Sequence, residues 1–256
     1  MSDRAPGGID VNVPNVARIY DYMLGGKDNF AADRAAAEQV LKAFPESREG
    51  ARRHREFLGT VVRYMAGEAG IRQFIDIGAG LPTQKNVHEA AQEVDPEARV
   101  VYIDNDPVVC VHGRALLANA PTVAMVQADL HDVPDLWEKT LATGLIDPDE
   151  PVGVLLFAIL HFLDDPGELV ADIRRRMAPG SHLGISHMVR KPAREDDVEK
   201  VGEVYANSAP GFRARTVDEI KAFFGDFELL PQERFVPPHI VARFSSLGFA
   251  GVARKP

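Results

Sequence analysis

Apolar positions follow a helical period through the first quarter of the chain. In residues 47–70 they keep the i, i+3, i+4, i+7 spacing of one helix face, at Leu58, Val61, Val62 and Met65. Residues 14–69 are therefore predicted to be helical, with Ser47 as the N-cap of this helix. The first 13 residues are polar and contain Gly and Pro, which predicts a loose arm.

From Phe74 the pattern changes to short apolar runs that alternate with amphipathic helices. The runs cover residues 74–77, 100–103, 122–126, 152–160 and 183–189. The fourth run is almost continuously apolar, which is typical of a strand buried on both faces of a parallel sheet. Two later runs, at 227–230 and 248–253, predict further strands joined by a loop at Pro237-Pro238.

This alternation predicts an α/β fold with a doubly wound, mostly parallel Rossmann-like sheet. The tail is expected to add an antiparallel strand, and the N-terminal helices to form a cap. The predicted organisation is an arm at 1–13, a helical cap or lid at 14–70, and the sheet domain at 71–256.

The first βα turn is the expected ligand site, because ligands of such sheets bind beyond the carboxyl ends of the strands. Gly78 and Gly80 match the first two glycines of a G-x-G-x-x-G fingerprint, but Pro82 and Thr83 replace the end of it. The third glycine normally lets the helix pack closely around a pyrophosphate. Its absence counts against a dinucleotide.

Acidic residues lie at the ends of three predicted strands and favour a different ligand. Asp76 lies inside the first strand, where a buried carboxylate needs a partner such as a cationic amine. Asp104 ends the second strand, where a carboxylate accepts hydrogen bonds from ribose hydroxyls. Asp129 follows the third strand and suits an adenine amine. An amine, a ribose and an adenine without a pyrophosphate describe S-adenosylmethionine.

Two of the acidic positions have structural alternatives. Asp106 precedes Pro107 and is interpreted as a helix N-cap, not as a ligand residue. Asp129 is equally consistent with capping a local turn, and Asp132 is close enough to take its place.

Composition and charge limit the classes of partner that the protein is expected to bind. With a net charge of −9, the protein lacks a basic field over its whole surface of the kind that favours nucleic acid. No apolar stretch is long enough to predict a membrane span. The single cysteine, Cys110, fits a reducing compartment and a buried position, so a cytoplasmic protein is expected. The basic run at 52–55 is interpreted as a solvated helix face. Histidines occur at no metal-ligand spacing, so no metal is predicted.

Three stretches, "FIDIGAG", "VVYIDNDP" and "VQADLHD", resemble motifs of the class I, Rossmann-like, SAM-dependent methyltransferases. The stretch "PNVARIYDYMLGGKDNFAADR" resembles the opening of a bacterial family of S-adenosyl methyltransferases, and this likeness extends over nearly the whole chain. It implies that the methionine part of SAM lies near Asp76, Gly78 and Gly80. The other implied contacts are Asp104 with the ribose, Asn105, Asp129 and the Leu130 backbone with the adenine, and Ala158 with the sulfonium.

The N-terminal segment has two interpretations. Gly25-Gly26 ends the helix that carries Tyr20 and Tyr22, and Asn29 follows before the next helix. The segment is either a fixed cap with core tyrosines or a lid with Tyr20, Tyr22 and Asn29 facing the cofactor.

His161, three residues after Ala158, is the base candidate for an acceptor that must lose a proton, and His187 is a second one. A histidine bonded to backbone is the structural alternative. Arg213 or Arg215 is a candidate clamp for an anionic acceptor. The resulting hypothesis is a SAM-dependent methyltransferase with a small-molecule acceptor. An NAD(P)-dependent oxidoreductase and a non-catalytic SAM- or nucleoside-binding regulator remain alternatives.

Overall fold

The computed structural model describes residues 10–82, 86–117, 120–234 and 248–256. Within these segments, seven strands form one sheet: β1 (Gln73–Ile77), β2 (Arg99–Asp104), β3 (Val123–Gln127), β4 (Gly153–Phe157), β5 (His182–Met188), β6 (Glu228–Leu229) and β7 (Gly248–Arg254). Their order across the sheet is β3-β2-β1-β4-β5-β7-β6. Strands β1 to β5 are parallel, whereas β7 runs antiparallel to both of its neighbours. The predicted mostly parallel sheet with an antiparallel strand from the tail is confirmed.

The α-helices of the described segments are α1 (Val16–Leu24), α2 (Ala31–Ala43), α3 (Ser47–Gly67), α4 (Val87–Gln92), α5 (Pro107–Leu117), α6 (Val133–Ala142), α7 (Gly167–Arg176), α8 (Glu195–Tyr205) and α9 (Val217–Ala222). The helical N-terminal region is thus confirmed. Helix α3 has Glu46 as its N-cap, not Ser47 as predicted. The backbone already turns at Phe44, whose carbonyl accepts from the Ser47 N–H, so Ser47 is the first helical residue.

Side chains of β1 alternate between the two faces of the sheet, as the period of a strand requires. Ile75 and Ile77 belong to the core on one face, and Phe74 belongs to the core on the other. The second core also contains Leu58 and Met65 of α3, so this helix packs directly on the sheet. Asp76 shares the parity of Phe74 and therefore points towards α3.

Some predictions concern residues outside the described segments: most of the N-terminal arm (1–9), Thr83 and the Pro237-Pro238 loop. The proposed domain boundaries at residues 13 and 70 stay predictions. Cys110 is fully buried, as expected for a small apolar side chain. None of the helices in the described segments combines the length and apolarity that a membrane crossing requires.

Candidate functional site

The glycine turn after β1 lies at the edge of a cavity of about 430 Å³. Gly78 and Gly80 have φ of +74° and +66°, in the left-handed region that favours glycine. A Cβ at Gly78 would lie 2.8 Å from the Ile159 side chain, whereas a Cβ at Gly80 would meet nothing within 4 Å. Gly78 is therefore required by packing, and Gly80 leaves its backbone open to a ligand.

The cavity extends over the carboxyl ends of four parallel strands and beneath helices α1, α3 and α8. Nine of the candidate site residues line it: Tyr20, Asp76, Gly78, Gly80, Asp104, Asn105, Ala158, His161 and His187. Because the strands are parallel, their polar ends meet at this one edge of the sheet.

Asp76 is a buried carboxyl group on the floor of the cavity. It is 5% exposed, and this burial raises its pKa to about 7, although nearby Arg55 of α3 partly opposes the shift. A carboxylate in this setting gains from a cation that arrives with a ligand. The predicted partner for a cationic amine is therefore in a suitable environment.

Asp104 fixes the turn of the neighbouring strand. Its carboxylate accepts hydrogen bonds from the Gly80 N–H at 2.9 Å and from the Asp106 N–H at 3.0 Å. Burial raises the pKa of this carboxyl, and the two N–H donors act in the opposite direction. Asp106 itself accepts from the Val108 N–H at 2.7 Å, as expected for the N-cap of α5. Its second oxygen accepts from the Asn15 side-chain amide.

Asp129 has the contacts of a turn residue. One carboxylate oxygen binds both the backbone N–H of His131, at 2.9 Å, and the His131 ring, at 2.8 Å. Leu130 is buried in the core, and Asp132 caps α6 by accepting from Asp135 N–H. His131 lines the cavity at this strand end, and neither Asp129 nor Leu130 does. The adenine contacts of Asp129 and Leu130 stay predictions.

Tyr22 and Asn29 lie outside the lining of the cavity, contrary to the lid interpretation of these two side chains. The Tyr22 hydroxyl donates to Glu38 at 2.7 Å on the exposed side of α2. The Asn29 amide is buried and donates to Asp21 at 2.8 Å, which holds the turn after α1 together. Tyr20, on the opposite side of α1, lines the cavity instead. The helix period explains the difference, since positions two apart point in different directions.

His161 lies in a short 3-10 helix, Leu160–Phe162, directly after β4. Its Nδ1 is buried and has no hydrogen-bond partner among the described residues. Burial lowers the pKa of the ring well below its usual range. His187 is differently placed, because its Nε2 contacts the Arg215 guanidinium at 3.0 Å and its Nδ1 contacts the Met188 carbonyl oxygen at 2.8 Å.

Arg215 is committed to holding the loop that carries His161. Its guanidinium donates to the carbonyls of Leu160, at 3.0 Å, and Leu163, at 2.8 Å, and also to that of Asp164. Arg213 is about half exposed and pairs loosely with Asp164. Arg215 therefore positions the 3-10 helix, and its predicted role as a clamp for an anion does not fit these contacts.

A chain of hydrogen bonds that the sequence interpretation missed joins the N-terminal helices to the sheet. The Tyr20 hydroxyl lies 2.9 Å from Nδ1 of His54, and Nε2 of His54 lies 2.7 Å from Oγ of Ser186. Ser186 Oγ in turn accepts from the Ala158 N–H at 2.8 Å. Ala158 has φ of +56°, so this bond holds a strained residue at the end of β4.

The basic run at 52–55 is not a uniformly solvated face. His54 is buried, and both His54 and Arg55 line the cavity. The helix period explains this, because His54 and Arg55 precede Leu58 by four and three positions and share its face. Extending the apolar spacing backwards by one turn would have identified both residues.

Across the described segments, no three His, Cys, Asp or Glu side chains are grouped as a metal ion would require. The polar groups of the cavity instead include carboxylates, guanidinium groups, amides, hydroxyls and imidazole rings.

Comparison with known proteins also indicates a methyltransferase. A family model described as S-adenosyl methyltransferase matches residues 2–243. A crystal structure from Thermobifida fusca, titled as that of a methyltransferase, is 41% identical, with a TM-score of 0.88 and 99% of both chains covered. A DUF574 family protein from Streptomyces avermitilis is 34% identical, with a TM-score of 0.88 over 96% of this chain and 99% of that one.

A curated relative from Mycobacterium marinum, named for S-adenosyl-L-methionine-dependent methyltransferase activity, is 33% identical over 122 residues. This match covers 46% of the present chain and 37% of the relative, so it spans little more than a third of that protein. The family match confirms both the resemblance noted in the sequence and SAM as the cofactor of the family. The chain belongs to the S-adenosyl methyltransferase family.

Proposed function

We propose that the protein transfers a methyl group from SAM to a small-molecule acceptor. One observation carries this proposal: Asp76, the open Gly80 backbone and Asp104 line a single cavity of about 430 Å³ that is also lined by Ala158 and by residues of α1 and α8. Asp76 would bind an amine, the Gly80 backbone would let the ligand approach closely, and Asp104 would bind a ribose.

The charges in the cavity suit the amino-acid end of SAM. Asp76 offers a carboxylate to the ammonium group, and Arg55, which lines the same part of the cavity, offers a cation to the carboxylate. Sequence interpretation had assigned no partner to the SAM carboxylate. Asp104 would bind the ribose hydroxyls, with Asn105 beside the adenine. We retain Asp129 and Leu130 as proposed adenine contacts.

Methyl transfer requires little of the protein except that it aligns the two reactants and excludes water from the site. The acceptor's lone pair forms a bond to the methyl carbon while the carbon–sulfur pair remains on sulfur, which leaves S-adenosylhomocysteine. Alignment of the two reactants supplies much of the rate enhancement in such displacements. The Ala158 N–H donates to Ser186 Oγ, and we propose that the sulfonium lies next to Ala158.

The acceptor is proposed to be a small molecule because the far end of the cavity is formed by buried side chains of α1, α2 and α8. A net charge of −9 argues against nucleic acid and anionic membrane surfaces as partners. The single cysteine favours a reducing compartment, and we place the enzyme in the cytoplasm.

Calorimetric titration with SAM, S-adenosylhomocysteine and NAD tests the proposal. We expect both adenosyl ligands to bind and NAD not to bind. Binding of NAD alone would favour the oxidoreductase alternative. Tight SAM binding without release of S-adenosylhomocysteine in the presence of any acceptor would favour a regulator.

A further inference from the structure

The cavity continues from the cofactor region into an end lined by aromatic rings. This aromatic end is defined by His161, Phe162, Tyr205 and Phe212, all of which line the cavity. Ring centroids of Phe162 and Tyr205 are 5.1 Å apart, those of Tyr205 and Phe212 are 5.5 Å apart, and those of His161 and Phe162 are 4.3 Å apart. These spacings are typical of packed aromatic pairs, so the rings form one continuous surface.

None of the residues that define the aromatic end carries a formal charge on its side chain at neutral pH, apart from the titratable His161 ring, whose pKa burial lowers. Among the described lining residues, the side chains with a formal charge are Arg53, Arg55, Asp76, Asp104 and Asp106. All five belong to α3 or to the ends of β1 and β2. Arg215 is not part of the cavity lining, and its guanidinium donates to four backbone carbonyls.

The aromatic end carries one buried polar atom without a partner in the described part of the chain, on His161, and the hydroxyl of Tyr205. His161 and Tyr205 are each 8% exposed. Nδ1 of His161 is buried and has no hydrogen bond to any described residue. Tyr205 lines the same cavity, and burial raises the pKa of its hydroxyl. Buried polar groups are almost always hydrogen-bonded, so an unsatisfied ring nitrogen beside this cavity indicates a partner supplied by a ligand.

We propose that the methyl acceptor is an uncharged aromatic alcohol that lies among these rings and hydrogen-bonds to His161 and Tyr205. This inference rests on the proposed function. The flat rings provide the surface for an aromatic body, and the lack of charge disfavours an ionised one because its desolvation would go uncompensated. The unsatisfied His161 ring accounts for its hydroxyl, and the Tyr205 hydroxyl for a second polar substituent or a shared contact.

The proposed step balances in atoms and electrons. The acceptor oxygen forms a bond to the methyl carbon, and the carbon–sulfur electron pair stays on sulfur. The hydroxyl proton passes to the His161 ring and then to water. The products are the methyl ether, neutral S-adenosylhomocysteine and one released proton.

Binding of three probes to the protein saturated with S-adenosylhomocysteine tests the acceptor class. The probes are 2-naphthol, its saturated analogue decahydro-2-naphthol, and the anion 2-naphthoate. We expect the saturated alcohol to bind about 3- to 10-fold more weakly than 2-naphthol, because it lacks ring–ring contacts. The anion should bind more than about 30-fold more weakly, because it must lose its hydration.

Tyr205→Phe should weaken 2-naphthol binding by about 2- to 10-fold, the usual effect of one neutral hydrogen bond, and leave S-adenosylhomocysteine binding unchanged. Tyr64→Phe is a matched control, since Tyr64 is also 8% exposed but lies on α3 away from the cavity. It should change neither affinity.

The outcomes separate this inference from the function on which it rests. If S-adenosylhomocysteine does not bind, the proposed function itself is wrong. If it binds but 2-naphthol binds no better than the saturated alcohol or the anion, only the acceptor class is wrong. Equal effects of Tyr205→Phe and Tyr64→Phe would likewise overturn the role of Tyr205.

Discussion

The backbone N–H of Gly80 donates to Oδ2 of Asp104 at 2.9 Å, so the turn after β1 and the end of β2 are fixed to each other. The second carboxylate oxygen is held by the N–H of Asp106. The carboxylate is thereby oriented by two backbone groups before any ligand arrives. Such preorganisation reduces the entropic cost of binding.

Substitution of Asp104 is expected to affect ligand affinity. If its carboxylate accepts from the ribose, each lost charged hydrogen bond costs about 1.5–3 kcal/mol. Asp104→Ala should therefore weaken S-adenosylhomocysteine binding by about 10- to 1000-fold in calorimetry. Asp106→Ala is the control, because it removes the N-cap of α5 and should lower unfolding stability by about 1 kcal/mol. The assignment fails if Asp106→Ala abolishes binding and Asp104→Ala does not.

Substitution of Gly80 should mainly affect ligand binding, whereas substitution of Gly78 should mainly affect stability. Gly80→Ala places a methyl group in open cavity space, so it should cost only about 1–2 kcal/mol of stability, from the positive φ, while blocking the ligand. Gly78→Ala adds a clash with Ile159 and should cost roughly 1–3 kcal/mol more. Thermal unfolding and S-adenosylhomocysteine titration of both variants measure this. Normal binding by Gly80→Ala would contradict the proposed ligand position.

Ligand affinity should depend on pH through Asp76. With a pKa of about 7 in the free protein, this carboxyl is increasingly protonated at lower pH and must ionise to bind an ammonium group. S-adenosylhomocysteine binding should weaken by about tenfold for each pH unit below 7, and level off above 7. The buried His54 and His187 have pKa values of about 3 and 4, so they do not titrate between pH 5.5 and 8.

Asp76→Asn provides the comparison for this pH effect. The variant lacks a group that titrates at this position, so its weaker binding should be independent of pH over the same range. Calorimetry in buffers of different ionisation enthalpy also detects the proton released on binding by the natural protein. A flat pH profile for the natural protein would contradict the assigned role of Asp76.

Acid should destabilise the fold through buried histidines such as His54. Burial lowers its pKa to about 3 in the folded chain, whereas the unfolded value is about 6.5, so the folded state binds fewer protons below that pH. Stability is therefore lost as the pH falls from 6.5 towards 3, by about 1.4 kcal/mol per pH unit for this residue.

Urea unfolding of the natural protein and of His54→Gln between about pH 5 and pH 7 measures this contribution. Glutamine does not titrate and keeps an amide within reach of Ser186. The free energy of unfolding of the variant should fall less steeply with decreasing pH, by the equivalent of one bound proton. Asp76 contributes in the opposite direction, and it does so equally in both proteins. Identical slopes would show that His54 does not govern this acid sensitivity.

The strands and the main ligand edge could be predicted from local pattern. Apolar runs locate β1 to β5 within one or two residues of their starts, and parallel strands necessarily bring Asp76 and Asp104 to one edge. Side-chain direction in the cap could not be predicted in the same way. Whether Tyr20 or Tyr22 faces the cavity depends on how α1 packs against α2 and α3, which no local spacing specifies.

Contacts between residues far apart in the sequence also could not be predicted. Ser186 lies in an apolar run, where its hydroxyl has no visible role until His54 is placed beside it. For Asp129, the sequence position suggested a ligand contact, because the residue follows a strand end. In the structure its carboxylate instead has a local partner, the His131 ring two residues later. Local and ligand roles use the same residue type, so only three-dimensional contacts separate them.

The hydrogen bond between His54 and Ser186 joins residues 132 positions apart. At synthesis rates of about 5–20 residues per second, roughly 7–26 s separate their appearance on the ribosome. For most of that interval α3 is complete, whereas β4 and β5, which pack against Met65, are made only in its last part. Until then the emerging chain presents the face of Leu58 and Met65 partly uncovered, and this segment is the expected binding site for a chaperone during synthesis.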